Sequence, residues 1–465
     1  MNRKLSSISV ALVAALSGAA CGPEAAPPDD PSTAQNPPGS AATPAPVEGS
    51  SGAAAPGESP AQSTPAGTAT SGSGTGEASA PVPAMPGGGF VEANTIFAQK
   101  LYSKLAATKG NVFFSPASVQ TALAMTYAGA RGQTAAEMAK TLELRLPAAE
   151  LHPAFVAFSK RLTASGGQGP EVRIANRLFG QQGLPMDPEF SKITEAQYGA
   201  KVELVDFKAA PDPARQRVNQ WVSEQTNDKI KDLLPPGSVD TLTRLVLANA
   251  IYFKGKWATP FDKAATKAEP FTVRPGTTVQ AQMMHNKKLS AGYGEAADAQ
   301  VLELEYVAPS ADRAMSMVVI LPRAADGLAK VEQTLSAGGL GTYVGALARG
   351  QQVDLSLPRF KVTSEFSLGD TLIAMGMPLA FDARKADFTG ITKEEPLFIS
   401  RVQHKAFVDV NEEGTEAAAS TGVVMSTRGL PPPPKVFRAD RPFVFVIRDV
   451  TSGAVLFMGR VANPT

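Results

Sequence analysis

The sequence predicts an α+β domain over residues 89–465, set behind a long segment with no core of its own. Two observations predict it. Apolar residues recur at helical spacing early in that region, and strand-like apolar runs dominate its later half. Helices and strands do not alternate regularly, as they would in a doubly wound sheet. No internal repeat is visible.

Taken in order, Ala93–Ala107 reads as a helix on Ile96, Phe97, Leu101 and Leu105. A second helix follows Ser115 and Pro116, carries Val119, Leu123, Met125 and Tyr127, and stops at Gly129. Thr134–Leu142 is a third, Val172–Phe179 a strand, and Asp187–Tyr198 and Ala214–Leu233 are helices. Leu245–Phe253 is a buried strand. Strands are then expected at Val301–Tyr306, Met315–Leu321, Val353–Pro358, Ala406–Val410, Phe443–Arg448 and Ala454–Val461.

The first 88 residues divide in two. Arg3 and Lys4 precede an apolar run from Ile8 to Leu16 and then small residues up to Ala20, the layout of a secretory signal over residues 1–20. The run is too short to span a bilayer. Cys21, the one cysteine of the chain, falls at the expected cleavage point. This resembles a bacterial lipobox, whose cysteine is lipidated, although Gly18 stands where leucine is usual. An ordinary secretory signal is the alternative. Residues 21–88 form a tether: from residue 22 on they contain no Phe, Trp, Tyr, Ile or Leu. Such a segment buries too little apolar surface to offset its ordering entropy. The predicted picture is an exported domain, lipid-anchored to a bacterial membrane (outer membrane, periplasm or cell surface) or secreted.

Composition excludes several functions. Lys+Arg is 44 against 43 Asp+Glu, a net charge of +1, which lacks the basic excess of a nucleic-acid binder. One cysteine permits neither an internal disulfide nor a cysteine-based metal centre, and three histidines make a multi-histidine centre improbable. HExxH, P-loop, GxSxG and Rossmann fingerprints are absent. His152, His285 and His404 have no serine or cysteine beside them in sequence that would mark a nucleophile, so structural roles are expected, and the chain is not expected to be an enzyme.

The segment 409–434 stands apart. It is far longer than an ordinary connection between strands. Read with period 2, one face carries Thr415, Ala417, Ala419, Thr421, Val423 and Met425, and the other carries Glu416, Ala418, Ser420, Gly422, Val424 and Ser426. The first face is uncharged, as a strand with one buried face requires. Yet alanine is a poor strand former, and four prolines follow. The segment therefore fits two states, an exposed loop and an inserted strand, with Thr415 the first residue that insertion would bury. A plain Ala/Ser linker is the alternative.

Six separated motifs resemble the serpin family. Asn111–Ser118 with Ala122–Met125, Ala128–Thr134, Asn219–Val222 with Thr226–Leu234, Leu247–Trp257 with Pro260 and Phe261, Glu412–Thr421, and Phe437–Phe445 are similar to that family's signatures, over essentially all of 90–465. The four-proline stretch departs from the pattern. The resemblance implies a serpin fold, with helices packed on a large mixed central β-sheet and an exposed reactive-centre loop. It implies an irreversible suicide-substrate inhibitor of serine proteases, monomeric and without a cofactor. A protease acylated on the loop is trapped when the loop inserts into the sheet; about 14 inserted residues at roughly 3.3 Å each move it by about 45 Å.

The resemblance also implies site residues. The hinge is Glu412, Glu413, Gly414, Thr415, Glu416, Ala417, Ala418, Ala419, Ser420 and Thr421. Counting about sixteen positions from the first hinge glutamate puts the reactive bond at Arg428–Gly429, with Met425 or Thr427 as neighbours if the register shifts. Arginine there suits a trypsin-like partner, whose pocket holds an aspartate. Ser115, Ser118, Asn249 and His404 resemble a buried polar cluster under the central strands, and Trp257 the tryptophan at the point of first insertion. A non-inhibitory serpin acting as a carrier or surface binder is the competing reading; the small residues at 417–421 argue against it.

Overall fold

The computed structural model describes residues 88–163, 169–415 and 433–465. The expectations for Cys21, for Glu416 to Thr421, and for Arg428 and Gly429 lie outside the described residues.

Helices dominate the first half, as the apolar spacing predicts. They are α1 (Gly88–Leu105), α2 (Pro116–Tyr127), α3 (Gly132–Thr141), α4 (Ala148–Thr163), α5 (Pro188–Tyr198) and α6 (Pro211–Gln225); α7 (Leu328–Ser336), α8 (Leu340–Gly345) and α9 (Gly369–Met375) come later. The start of α2 is written locally: Ser115 Oγ accepts the Ser118 N–H, and Pro116 occupies the first turn. Asp187 caps α5 in the same way, accepting from Glu189 and Phe190, and Gly199 closes it in the left-handed conformation.

Fifteen strands form two sheets among the described residues. One has the order β1 (Val112–Phe114), β15 (Val455–Val461), β14 (Phe443–Asp449), β8 (Met315–Pro322), β7 (Ala299–Glu305), β6 (Thr277–Glu295), β9 (Ala348–Pro358) and β13 (Lys435–Arg438), with β5 (Lys267–Arg274) paired to β6. The other is mixed, with the order β10 (Phe360–Ser367), β11 (Arg401–Asn411), β12 (Gly414–Thr415), β4 (Leu245–Lys256), β2 (Glu171–Gln181) and β3 (Glu203–Val205). Helices packed on this mixed sheet meet the expected fold class.

Aromatic side chains join the two sheets. Phe253 of β4 meets Phe457 of β15 edge-on at 5.4 Å, and Phe360 of β10 meets Phe445 of β14 at 5.2 Å. On the other face of the mixed sheet, Val218, Trp221 and Val222 of α6 bury Ala248 and Ala250 of β4. Period 2 along β4 thus sends Ala248 and Ala250 to α6, and Asn249 to the opposite side.

Several elements differ from expectation. The helix expected at Ala214–Leu233 ends at Gln225, because Asn227 and Asp228 take positive φ of 50° and 58°. The apolar pattern continues beyond it, with Ile230, Leu233 and Leu234 fully buried, but in an irregular crossing segment. Strands β5, β6 and β10 were not expected. Strand β10 alternates buried and exposed residues, β5 buries only Phe271, and the long β6 carries register shifts that blur the period. Strand β11 starts at Arg401, five residues before the expected Ala406, so His404 lies inside it.

Candidate functional site

The site is a seam in the mixed sheet. Strands β11 and β4 pair in parallel from Arg401–Val246 to Phe407–Tyr252. Beyond that point they part, and the two residues of β12 fill the gap. Thr415 pairs with Val410 on one side and Gly255 on the other; Gly414 pairs with Asn411 and Lys256. Both β12 pairings are antiparallel.

Gly414 is required here. Its φ is +138°, and a Cβ would stand 2.1 Å from the Gly255 carbonyl oxygen and 2.7 Å from Lys256 Cα. The chain leading to it is held by backbone bonds from the neighbouring strand: Trp257 N–H donates to the Glu413 carbonyl at 3.0 Å and Phe261 N–H to the Glu412 carbonyl at 2.8 Å. Trp257, 3% exposed, donates its Nε1–H to the Asn411 carbonyl at 3.0 Å and stacks on Tyr306 at 4.7 Å. The Tyr306 hydroxyl in turn reaches the Thr415 hydroxyl at 3.3 Å.

The two acids before Gly414 are anchored. Glu412 is 1% exposed; Arg359 Nε donates to both its oxygens at 2.7 Å, and the Thr266 hydroxyl adds another bond. Burial pushes the Glu412 carboxyl up, but the Arg359 and Thr266 hydrogen bonds outweigh it and hold it below the ordinary carboxylate range. Glu413 pairs with Lys263.

One expectation is corrected. Thr415 is already fully buried, paired on both edges and bonded to Tyr306, so it does not await insertion. The period-2 pattern was read without knowing where the sheet ends, and β12 already holds Gly414 and Thr415 in the seam.

Below the seam lies a row of polar side chains. His404, Asn249 and Asn176 are register partners across β11, β4 and β2. Ser115 N–H donates to His404 Nε2 at 3.1 Å, so the ring proton sits on Nδ1 and is donated to the Asn249 side-chain oxygen. Asn249 Nδ2 donates to Ser118 Oγ at 2.8 Å and to Asn176. Ser118 Oγ donates to the Asn176 oxygen at 3.1 Å, and Ser115 Oγ to the Leu456 carbonyl at 2.7 Å. Ser115, Ser118, Asn249 and His404 are all 0% exposed. Burial pushes the His404 imidazole down to about 3, which keeps it neutral.

The structure therefore brings Ser115, Ser118, Asn249 and His404 into one network, and Trp257, Gly414 and Thr415 into another at the top of the seam. Asn176, Thr266, Tyr306 and Arg359 were missed. Asn176 is one of several polar residues in its strand, with Arg173 and Arg177 on either side, so nothing in the sequence singled it out; the others are supplied by segments remote in sequence.

The other histidines tie elements together. His152 Nδ1 meets the Tyr198 hydroxyl at 2.7 Å, joining α4 to α5. His285 Nδ1 meets Ser356 Oγ at 3.0 Å and its Nε2 meets Glu269 at 3.0 Å, a serine contact that sequence neighbours could not reveal. Ser356 is buried, and Glu269 also pairs with Arg438, so this chain stitches β9, β6, β5 and β13 together.

A two-sheet domain with a strand wedged into a parallel seam defines a class, and the comparisons agree. The model of the serpin family (serine protease inhibitor) matches residues 92–464, and this chain belongs to that family. It is 42% identical over 384 residues to the leukocyte elastase inhibitor of Bos taurus, covering 80% of this chain and 98% of the relative. It is 37% identical to antithrombin-III of Mus musculus, covering 80% and 81%. The crystal structure of Serpin48 from Tenebrio molitor superposes with a TM-score of 0.72 at 33% identity, over 81% of this chain and 98% of that one.

Proposed function

We propose that this chain is an irreversible, suicide-substrate inhibitor of trypsin-like serine proteases. The observation that carries the proposal is the seam. The described chain stops in the mixed sheet at β12 and resumes in the other sheet as β13, which runs parallel to β9. If β12 extends downward after cleavage, the parallel β11–β4 ladder is exchanged for two antiparallel ladders. Antiparallel pairing is the more stable per residue, and the number of ladder bonds doubles. Insertion is downhill for that reason.

In this reading a protease serine attacks the Arg428 carbonyl carbon. An ester forms to Arg428, and the Gly429 amine, taking the serine proton, is freed as the new N-terminus of residues 429–465, which stay in the fold through β13, β14 and β15. The Arg428 end is free to insert, with Ala417, Ala419 and Thr421 turned to the buried side. Specificity rests on Arg428, the one basic residue between Lys405 and Lys435. One relative is named for elastase, an enzyme with a small specificity pocket; a guanidinium at the reactive bond selects a trypsin-like pocket instead. The polar row from His404 to Asn176 is read as the latch that must exchange partners as the strands part, and Trp257 as the support under the first inserted residues. We place the molecule as an exported monomer, held at a membrane surface through lipidated Cys21 and the 21–88 tether.

Mixing the protein with trypsin and resolving the products on a denaturing gel tests this. A band at the summed mass is expected. Cleaved protein beside fully active trypsin would leave a non-inhibitory carrier or surface binder in its place.

A further inference from the structure

Strands β6 and β7 pair from Glu295–Gln300 to Gly292–Glu303 and then part. The segment after β4 closes the gap: Trp257 pairs with Tyr306, and Ala258 N–H donates to the Glu305 carbonyl at 2.9 Å. A cavity of about 160 Å³ remains between the splayed strands, room for a short aliphatic chain or several waters.

Glu303 is the unusual member of its lining. It is 3% exposed, yet its bonds fall on one oxygen. Oε1 accepts from Ser316 Oγ at 2.7 Å, from Arg448 Nη2 at 2.6 Å and from Arg448 Nε at 3.3 Å. Ser316 and Arg448 stand behind the carboxylate and do not line the cavity. Oε2 lies on the other side, toward Gly292, and accepts from no donor among the described residues. A Cβ at Gly292 would stand 3.2 Å from Oε2 and 2.9 Å from Glu303 Cβ, so the glycine keeps this oxygen open to the cavity. A carboxylate oxygen has two lone pairs, and a buried acceptor left unpaired is costly.

The chemistry of the missing partner follows. It must donate, and to a carboxylate a charged donor makes the stronger bond. The charged lining residues are Glu303, Glu305 and Arg349, an excess of one negative charge. Trp257 and Phe261 also line the cavity, and aromatic rings favour a cation beside them. Period 2 sets Glu305 on the same face of β7 as Glu303, about 6.6 Å further along, at the exposed mouth. Two carboxylates at that spacing, with apolar Phe261 and Leu289 beside them, match two ammonium groups on one short hydrocarbon chain.

The cavity is preformed. The Trp257 ring is held by its stack on Tyr306, and Val307 N–H donates to the Lys256 carbonyl at 2.8 Å, which fixes the closing segment. Binding therefore carries little ordering cost in the protein. We infer that this cavity binds an aliphatic diamine, one ammonium on Glu303 Oε2, the other on Glu305, and the methylenes against Phe261 and Leu289.

Calorimetric titration of the full chain with 1,4-diaminobutane at neutral pH, where both amines are charged, tests the inference. Saturable one-to-one binding is expected. Glu305→Gln changes an exposed residue and should weaken binding about tenfold. Glu303→Gln should weaken it further; if that variant fails to fold because Arg448 loses its partner, Glu305→Gln and the monoamine still decide. 1-Aminobutane, which has the same chain with one ammonium, should bind at least about tenfold more weakly. Absence of saturable binding by the unsubstituted protein overturns the inference. So does an affinity that Glu305→Gln leaves unchanged, which places the diamine elsewhere, and so does equal affinity for 1-aminobutane, which removes the second carboxylate from the recognition.

Discussion

His404 Nδ1 donates to the side-chain oxygen of Asn249 directly across the parallel seam, at the level where the two residues are register partners. This bond joins the two strands that must separate if a new strand is to enter between them. It exists in the neutral tautomer because Ser115 N–H occupies the other ring nitrogen. Protonation of the ring would force Ser115 N–H to lose its acceptor.

That relationship makes stability depend on pH. The folded His404 titrates near 3, below its ordinary 6.5, so the unfolded chain takes up a proton that the folded one excludes. The stabilisation is complete above about pH 6.5 and is lost as pH falls toward 3, at about 1.4 kcal/mol per pH unit. Denaturant unfolding at about pH 7.5 and about pH 5.5 should show the unsubstituted protein losing about 1.4 kcal/mol more than His404→Gln. Equal losses would show that the ring is not excluded from protonation in the fold.

Glu412 behaves in the opposite chemical sense with the same outcome. Its folded value is lowered, so its contribution is present above the unfolded carboxylate range, about 4.3, and is lost as pH falls through the folded value. Glu412→Gln removes the charge from a pair whose other member, Arg359, is 43% exposed and screened by water. The expected cost at neutral pH is about 1–2 kcal/mol, measured by denaturant unfolding. The difference between protein and variant should vanish in acid. A constant difference would assign the cost to packing instead.

Specificity is tested at the reactive bond. Arg428→Ala should abolish trapping of trypsin while the unfolding transition stays unchanged, because the lost contact is a charge-assisted one made inside the protease pocket. Undiminished trapping, read from the rate of complex formation, would move the scissile bond to Met425 or Thr427.

Insertion is tested one step further along the loop than Thr415, since Thr415 is already in the sheet. Ala417→Arg puts a guanidinium on the face that insertion buries; Glu416→Arg puts one on the opposite face. An unpaired buried charge costs several kcal/mol, and each ~1.4 kcal/mol added to the insertion barrier slows that step about tenfold. Deacylation then wins, and Ala417→Arg should be cleaved without forming a stable complex. Glu416→Arg should still trap trypsin. Identical behaviour of the two variants on a denaturing gel would refute the alternation.

Attachment is tested at Cys21. Cys21→Ser should move the mature protein from the membrane to the soluble fraction, since no helix among the described residues is long and apolar enough to cross a bilayer. Unchanged sedimentation with membranes would refute lipidation.

The sequence by itself determined the local features. Helical spacing, the Ser115–Pro116 start of α2 and the apolar runs of β4, β8, β14 and β15 are dictated by neighbours in the chain, and they are read correctly without a fold. The motifs from Asn111 to Phe445 were enough to indicate the family. Tertiary structure decided what depends on remote partners. Glu412 is a surface-type residue until Arg359, 53 positions earlier, and Thr266 close over it. Asn176 joins the polar row only because β2 pairs with β4. Ser356 and His285 meet across strands 71 positions apart. Above all, the depth to which β12 has entered is set by where β11 and β4 diverge. Period 2 tells which residues share a face, but only the neighbouring strands decide which of those faces is already buried.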